Sequence, residues 1–295
     1  MSAARSGCRA LCALRAYNTT AAPRVQIPRR AVDRLSRQIV RTYSEASSTT
    51  QPPKPSFLRR AATFIATGIV FTTLGFAMAA APALPALNGI LTPPTDEETL
   101  TMFKPEDPKE IEVEEYINNH WVSAEMRKKP GFAELRPHMK IPAPFRANNL
   151  TAGVLLGPNK VVVPPIAWVE EGGKSIVSIS YLGPELCGHP GIVHGGFLAT
   201  MLDEGMARCC FGALPHNIGM TANLNINYRA PAKASSYVVL RAETTKVEGR
   251  KAEVVGRIET LPEKEGDAPL VLAEATALFV SPKQAAMMKN VYPVQ

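Results

Sequence analysis

Cysteine is scarce in this sequence, and the few cysteines are badly placed for a structural role. Cys8 and Cys12 lie in a basic leader, which leaves Cys187, Cys209 and Cys210, an odd number without a CxxC pair. Adjacent cysteines on a helix point about 100° apart and behave as small apolar core residues. We therefore expect no structural disulfide and no zinc site of the Cys-rich kind.

Several other signatures are also missing. The sequence contains no phosphate-binding loop, no dinucleotide-binding glycine fingerprint and no cluster with metal-ligand spacing. Its basic residues are not interleaved with aromatic residues, as they would be on a nucleic-acid-binding surface. We expect no resident cofactor, no metal and no nucleic-acid partner.

Acidic residues are almost absent from the first sixty positions. Residues 1–60 carry 12 Lys+Arg against Asp33 and Glu45, a net charge of 12 − 2 = +10, so the remainder carries 7 − 10 = −3. Residues 1–43 have the Arg-, Ala- and Ser-rich composition of a mitochondrial transit peptide, with a plausible cut after Tyr43. A disordered basic tail is the alternative. Residues 44–60 then form a polar linker.

Charged residues and proline are both missing from residues 61–81, which follow Arg59-Arg60. As a helix, these 21 residues would span about 32 Å, enough for the hydrocarbon core of a bilayer. We expect a single-pass anchor in the mitochondrial inner membrane; the alternatives are an uncleaved targeting segment or a loosely associated amphiphile. The sequence leaves open whether the remaining chain faces the matrix or the intermembrane space.

Proline dominates the next part of the chain, because 15 of the 26 prolines fall before Leu150. We interpret residues 82–135 as a connector containing one helix over residues 109–126, which packs on or caps the following domain. Its expected apolar stripe consists of Ile111, Tyr116, Ile117 and Trp121. Residues 130–149 hold four prolines and predict an extended arm.

Strand-like patterns begin after Leu150. β-Branched and aromatic runs predict strands at residues 161–163, 166–169, 175–181, 221–228, 236–245, 252–260 and 271–280. Gly172-Gly173 has the composition of a hairpin turn. An antiparallel sheet built around one apolar helix is an α+β architecture.

The helix expected at the centre of that sheet lies in the segment PGIVHGGFLATMLDEGMARCCF, residues 190–211. It is apolar on nearly all sides, which is typical of a helix enclosed by protein. Glu204 and Arg208 stand four residues apart and can pair with each other. Asp203 faces another side, which leaves it as a carboxylate without an obvious partner in an apolar setting.

This segment resembles the hotdog-fold acyl-CoA thioesterases, in which His-Gly-Gly opens the buried helix and an aspartate follows nine positions after the histidine. The stretches MTANLNINYRAP (220–231) and GRKAEVVGRIE (249–259) fit the same family, most closely its mitochondrial members that act on long-chain acyl-CoA. The resemblance covers residues 136–283, which we take as the hotdog domain, followed by a tail at 284–295. It implies hydrolysis of medium- or long-chain fatty acyl-CoA to free acid and coenzyme A.

The resemblance also implies roles for individual residues. The Gly195 N–H would donate to the oxyanion at the positive end of the helix, and Asp203 would act as base on water or as nucleophile. Thr221 would position the water or the acid, and His194 would orient the turn or line the site. Gly196 would let the substrate approach the backbone closely.

Two further expectations concern assembly and coenzyme A. Gly195 and Asp203 lie about 12 Å apart along one helix, so both can serve one thioester only if Asp203 comes from a second, antiparallel copy. We therefore expect a homodimer or a dimer of dimers. The candidate partners of the coenzyme A phosphates are Arg229, Lys233, Lys246, Arg250 and Lys251. Met201, Met206 and Met220 are candidates for an acyl channel.

Two non-enzymatic functions remain open. The domain could bind acyl-CoA or a partner without turnover, or it could act in the assembly of a membrane complex. Hydratase activity, another use of the hotdog fold, lacks an Asp-His pair at the required spacing.

Overall fold

The computed structural model describes residues 55–84 and 92–288 of the chain. These residues belong to two units that meet between Val70 and Phe71. The expected transit peptide and most of the expected linker lie outside the described residues, as do the last residues of the tail.

The first helix of the described residues, α1 (Phe57–Ala80), is continued by a 3-10 turn at Ala81–Ala83. It is long and apolar enough to cross a membrane. Its α-helical part ends just before Pro82, which cannot donate the next backbone hydrogen bond. The helix contains the expected span 61–81 apart from its last residue and begins earlier, so that Arg59 and Arg60 form part of its first turn.

Seven antiparallel strands form one sheet in the order β1-β2-β3-β7-β8-β9-β6. Their bounds are β1 (Phe132–Leu135), β2 (Ile166–Glu170), β3 (Ser175–Leu182), β6 (Met220–Tyr228), β7 (Ser236–Glu248), β8 (Lys251–Thr260) and β9 (Val271–Val280). A separate two-stranded ribbon joins β4 (Cys187–His189) to β5 (Ile192–Val193). The sheet thus begins upstream of residue 136, where we expected the domain to start.

Period-two alternation gives the sheet two apolar faces. On β3, Ile176 and Leu182 belong to one buried cluster, whereas Val177, Ile179 and Tyr181 belong to another. Side chains two apart in a strand point to the same face, so the two clusters occupy opposite faces.

After α1, the helices of the described residues are α2 (Asp96–Met102), α3 (Pro108–Asn119), α4 (Trp121–Lys128), a four-residue helix at Ala143–Arg146, α5 (Gly195–Phe211) and a short C-terminal helix at Ala285–Met288. The long helix α5 covers the first of the two faces of the sheet. Leu202, Met206 and Cys209 of α5 are completely buried against the sheet. An antiparallel sheet packed on one central helix is the hotdog architecture, as the resemblance implied.

The turn between β2 and β3 shows why two glycines stand there. Gly172 and Gly173 have φ angles of 77° and 71°, which side chains other than glycine rarely adopt. A Cβ at Gly173 would also lie 2.5 Å from the backbone nitrogen of Ala213, just past the end of α5. The hairpin turn predicted from the sequence therefore also fixes the C-terminal end of the central helix.

The second face of the sheet is covered by α3 and α4. We expected one helix over residues 109–126, but the chain breaks at His120, whose extended backbone ends α3 and whose Nδ1 caps α4 by accepting from Val122 N at 3.2 Å. The buried side chains of this pair are Val113, Ile117, Val122 and Met126. Ile111 and Tyr116 of the expected stripe remain about two-fifths exposed.

Two further expectations about the chain were wrong. Residues 130–149 are not an extended arm, because they contain β1, a 3-10 turn at Pro137–Lys140 and the short helix at Ala143–Arg146. Residues 161–163 form no strand; Val161 makes only isolated bridges to Leu156 and Leu182. The three valines there are nevertheless buried, so their apolar character serves packing instead of strand pairing.

The adjacent thiols of Cys209 and Cys210 give a testable consequence of this packing. Both are buried, and burial raises the pKa of Cys209 to about 11 and that of Cys210 to about 12. Because the thiolate is the reactive form, a maleimide at pH 8 should leave both unlabelled in the native protein, while the partly exposed Cys187 reacts. Mass spectrometry of labelled peptides, with and without denaturant, checks this; rapid native labelling of Cys209 or Cys210 would contradict it.

Candidate active site

The N-terminus of α5 presents an unused backbone donor. His194 caps the helix, since its Nδ1 accepts from the Gly196 N–H at 2.9 Å. Among the residues that the structure describes, no acceptor lies within hydrogen-bond reach of the Gly195 N–H. A free N–H at the positive end of a helix dipole can donate to an oxyanion. His194 thus accepts the hydrogen bond of the Gly196 N–H and leaves the Gly195 N–H free.

Tyr228 fixes the peptide group on the other side of Gly195. Its hydroxyl donates to the Gly195 carbonyl at 2.8 Å, from the last residue of β6. Gly195, Tyr228 and Arg229 line a surface groove of about 390 Å³ together with His189, Ile192 and Leu198. The free N–H is therefore held in place beside a groove that is large enough for part of a substrate.

Asp203 has a partner after all. It is partly exposed, and its Oδ1 accepts a hydrogen bond of 2.7 Å from the Thr221 hydroxyl on β6. The sequence suggested a buried carboxylate without a partner, which is wrong because Asp203 faces the edge strand and not the core. A partly solvated carboxylate held by one hydroxyl keeps free lone pairs with which to bind or activate water.

The free N–H and the carboxylate lie at different positions along α5. The helix is continuous from Gly195 to Phe211, so eight residues separate Gly195 and Asp203 by about 12 Å. Each is tied to a different end of β6, Gly195 to Tyr228 and Asp203 to Thr221. One thioester carbon cannot touch both groups of a single chain.

Glu204 lies on the opposite flank of α5, and its partners differ from those we expected. Its Oε1 accepts from the Thr151 hydroxyl at 2.8 Å, and its Oε2 lies 3.6 Å from His138 Nε2. No ion pair within 4.0 Å joins it to Arg208 in the described part of the chain. Although the Glu204 side chain is 45% exposed, desolvation by the surrounding protein raises the pKa of its carboxyl, and the stronger combined effect of His138, Thr151 and Arg208 holds that pKa below the usual value.

The three methionines proposed for an acyl channel are in three different environments. Met206 is completely buried and packs against Gly256, where a Cβ would lie 2.7 Å from Met206 Cγ. Met220 is half-exposed at the start of β6. Met201 alone lines a cavity, of about 70 Å³, beside Phe197 and Glu204. The structure does not bring the three together.

The five cations proposed for coenzyme A form two groups within one chain. Arg229 and Lys233 lie between β6 and β7, near Gly195, while Lys246, Arg250 and Lys251 surround the β7–β8 turn. Ten residues of β7 separate Ser236 from Lys246, a distance of about 33 Å. Two of the five are engaged in ion pairs, Arg229 with Glu274 and Lys246 with Glu248.

Sequence reasoning missed three residues that shape this region. Tyr228 orients the Gly195 peptide, and Thr151 and His138 hold Glu204 away from the β6 side of the helix. An aromatic residue at the end of a strand in which apolar residues alternate with Thr and Asn was a signal for Tyr228. Nothing in the sequence pairs residues 138 and 151 with a helix some fifty positions later. Within residues 55–84 and 92–288, no group of three or more His, Cys, Asp or Glu residues could hold a metal ion.

Comparison with known proteins identifies the family to which the chain is similar. The family model described as "Thioesterase superfamily" matches residues 190–266, which include α5 and β6 to β8. The chain is 32% identical over 195 residues to UPF0644 protein PB2B4.06 of Schizosaccharomyces pombe, covering 65% of this chain and 74% of that protein.

Two other relatives carry more informative names. The acyl-coenzyme A thioesterase THEM4 of Mus musculus is 41% identical over 107 residues, covering 36% of this chain and 43% of that protein. The uncharacterized mitochondrial membrane protein FMP10 of Saccharomyces cerevisiae is 31% identical over 131 residues, covering 44% of this chain and 52% of that protein. In both cases the chain spans about half of the relative or less.

Proposed function

The chain belongs to the thioesterase superfamily, and from this we propose that it hydrolyses acyl-CoA thioesters to a free acid and coenzyme A. The observation that carries the proposal is the free Gly195 N–H at the start of α5, in a chain that also presents Asp203 bonded to Thr221. We further propose medium- or long-chain fatty acyl groups as substrates. The relative named as an acyl-coenzyme A thioesterase supports the substrate class.

In the proposed reaction, the thioester oxygen accepts a hydrogen bond from the Gly195 N–H as negative charge develops on it. The helix dipole favours that charge, and the Tyr228 hydroxyl holds the next peptide group through the Gly195 carbonyl. As a base, Asp203 removes a proton from water, whose oxygen then attacks the carbonyl carbon. As a nucleophile, it attacks that carbon itself, and water then hydrolyses the acyl-Asp203 intermediate to release the acid. In both routes Thr221 holds the carboxylate. The coenzyme A thiolate leaves and takes up a proton.

We propose that each site combines two copies of the chain. Gly195, Ala199 and Asp203 are spaced four residues apart and so fall on one face of α5, the face towards β6. A two-fold axis at Ala199 would place Gly195 of one copy opposite Asp203 of the other. Strand β6 lies at the edge of the sheet and seven of its nine residues are exposed, so it offers an unpaired edge at the same place.

The same two-fold axis would bring together the two groups of cations proposed to bind coenzyme A. In one chain, Val280 of β9 pairs with Lys251 of β8 on one side and with Met220 of β6 on the other, so Lys251 lies level with the start of β6. Arg229, in contrast, follows the end of β6. Antiparallel pairing of β6 with its copy brings the start of one strand to the end of the other. The cations at the β7–β8 turn of one copy (Lys246, Arg250 and Lys251) would then approach Arg229 and Lys233 of the other copy, around the phosphates of one coenzyme A.

We propose that α1 anchors the protein in the mitochondrial inner membrane. The support is the length and apolar character of this helix, together with a relative named as a mitochondrial membrane protein. Processing after Tyr43 remains a prediction.

Gly195 allows a direct test of the oxyanion role. Gly195 is the first residue of α5, where proline is tolerated, and His194 before it has an extended backbone compatible with a following proline. Gly195→Pro removes the free N–H and adds a side-chain ring, and it should lower kcat about 10²- to 10³-fold. Gly195→Ala keeps the N–H, and its Cβ would meet the Tyr228 ring at 3.3 Å, so it should retain most activity. Steady-state hydrolysis of a palmitoyl-CoA and shorter-chain panel measures both.

Mixing two inactive variants tests the shared site. In a dimer of one Gly195→Pro chain and one Asp203→Asn chain, one site carries both defects and the other carries neither. Random mixing should therefore restore about a quarter of the activity of the unmodified protein. No recovery in verified mixed dimers would place each complete site within one chain. Absence of turnover by the unmodified protein would favour a binding or assembly function instead.

A further inference from the structure

Three large apolar side chains are exposed within one short stretch of the hotdog domain. Phe145 is 48% exposed, Leu150 53% and Val154 49%. We call these three side chains the 145–154 patch. They lie outside the candidate active site, since the segment that carries them packs on the Glu204 flank of α5.

The inner side of this segment is firmly attached. Thr151 and Ala152 are buried, and the Asn149 side chain caps both of their N–H groups, at 3.1 Å and 2.8 Å. Gly153 packs so closely on the end of the short helix Ala143–Arg146 that a Cβ would overlap the Arg146 carbonyl. This contact holds the end of the short helix, where Phe145 precedes Arg146, against the following turn.

The outer side of the segment is consequently a fixed apolar surface. Residues 150–154 form one wide helical turn, in which the Leu155 N–H donates to the Leu150 carbonyl at 2.8 Å. Leu150 and Val154 are almost one such turn apart and therefore project from the same side.

The chain segment that carries the patch has charges of one sign, although Glu204 of α5 bonds to its buried Thr151. Residues 135–169 contain no aspartate or glutamate, although residues 61–295 as a whole carry net negative charge. Arg146 lies inside the segment, and Lys160 reaches it by donating from Nζ to the Val154 carbonyl at 2.8 Å. Glu185, which accepts from Asn159 at 3.1 Å, marks the edge of this acid-free region.

We propose that the 145–154 patch inserts into the surface of a lipid bilayer that contains anionic lipids. Exposed apolar side chains in a stretch of chain that has cations but no acids have the character of a membrane-surface element. The membrane is also within reach: from Leu84, the end of the apolar segment, to Asp96 the chain extends at most about 40 Å. The inference rests on the proposed anchoring by α1. Its consequence is that the domain takes amphiphilic acyl-CoA directly from the membrane surface.

Tryptophan quenching by brominated lipids tests the insertion. The full chain is reconstituted into liposomes of phosphatidylcholine and phosphatidylserine, with or without dibrominated acyl chains, and Phe145→Trp is compared with the parent. The parent protein measures the emission of the two native tryptophans, Trp121 and the 1%-exposed Trp168, so that this emission can be subtracted. The added emission should fall by about half or more in brominated liposomes, because bromine quenches only tryptophans that enter the acyl region.

Leu270→Trp is the matched control. Leu270 is 54% exposed, similar to the patch residues, but follows a stretch containing Glu263, Glu265 and Asp267. Its added emission should be unchanged by brominated lipid. Leu150→Trp repeats the test if Phe145→Trp is poorly folded.

The outcomes separate this inference from the proposed anchor. Failure of the parent to float with liposomes would overturn the anchor and this inference together. A floating chain whose added tryptophan is unquenched at both positions 145 and 150, or is quenched equally at 270, would overturn this inference alone. A concentration-dependent emission shift without quenching would instead assign the patch to a second copy of the chain.

Discussion

Asp203→Asn is expected to lower kcat for acyl-CoA hydrolysis by about 10²- to 10⁴-fold, the usual contribution of a general base. The substitution is nearly isosteric, and the Thr221 hydroxyl can still donate to the remaining amide oxygen. KM should therefore change little, because the variant loses the ability to accept a proton but keeps its shape. Steady-state kinetics on a palmitoyl-CoA series, with sedimentation to verify the dimer, makes the measurement.

Glu204→Gln is the matched control for that substitution. Glu204 is the next residue along α5, but it faces the other flank of the helix and is held by Thr151 and His138. The amide retains an acceptor for Thr151, so activity should remain within about three-fold of the parent. If Glu204→Gln abolished turnover and Asp203→Asn did not, the catalytic carboxylate would have to be reassigned.

The choice between these two carboxylates shows how far the sequence could lead. Helical periodicity placed Asp203 and Glu204 on different faces, and the structure agrees. Periodicity could not identify what each face meets. Thr221 and Thr151 come from β6 and from a turn before β2, and tertiary packing alone brings them to α5. The expected Glu204–Arg208 pair failed for this reason, because partners distant in sequence replaced the local one.

Strands were easier to predict than the segment that precedes them. From β2 onward, the β-branched runs and their glycine turns coincide with the observed strands, because a half-buried strand imposes its own period on the sequence. The strand predicted at residues 161–163 is absent because valine is favoured there by burial and not by strand pairing. The extended arm expected over residues 130–149 failed because proline spacing does not distinguish such an arm from short helical turns that proline itself begins, as at Pro137.

The connection between that N-terminal segment and the sheet depends on one buried cation. Arg136 is 1% exposed; its guanidinium donates to the Pro164 carbonyl and to the Glu114 carboxylate of α3. Its backbone N–H donates to the Thr99 hydroxyl of α2 at 3.0 Å. Burial lowers the pKa of Arg136, while Glu114 acts in the opposite direction and favours the charged form. Two helices and the loop before β2 therefore meet at this side chain.

Arg136→Met is expected to lower the free energy of unfolding by about 3–5 kcal/mol, because it leaves Glu114 without its cation in a site shielded from water. Urea unfolding followed by Trp168 fluorescence measures the change. Lys109→Met provides the control within α3: the Lys109–Glu112 pair is largely exposed, so its loss should cost less than about 1 kcal/mol.

The double variant Arg136→Met/Glu114→Met decides what the buried pair contributes. If the loss in Arg136→Met comes from an uncompensated carboxylate, removing that carboxylate as well should restore most of the stability, since an apolar pair avoids the desolvation of both charges. A double variant as unstable as Arg136→Met would contradict this, and would show that the bonds to Pro164 and the packing around the guanidinium hold the helices on the sheet. In either case hydrolysis should persist wherever the domain stays folded, because Arg136 bonds to none of the groups proposed to act on the thioester.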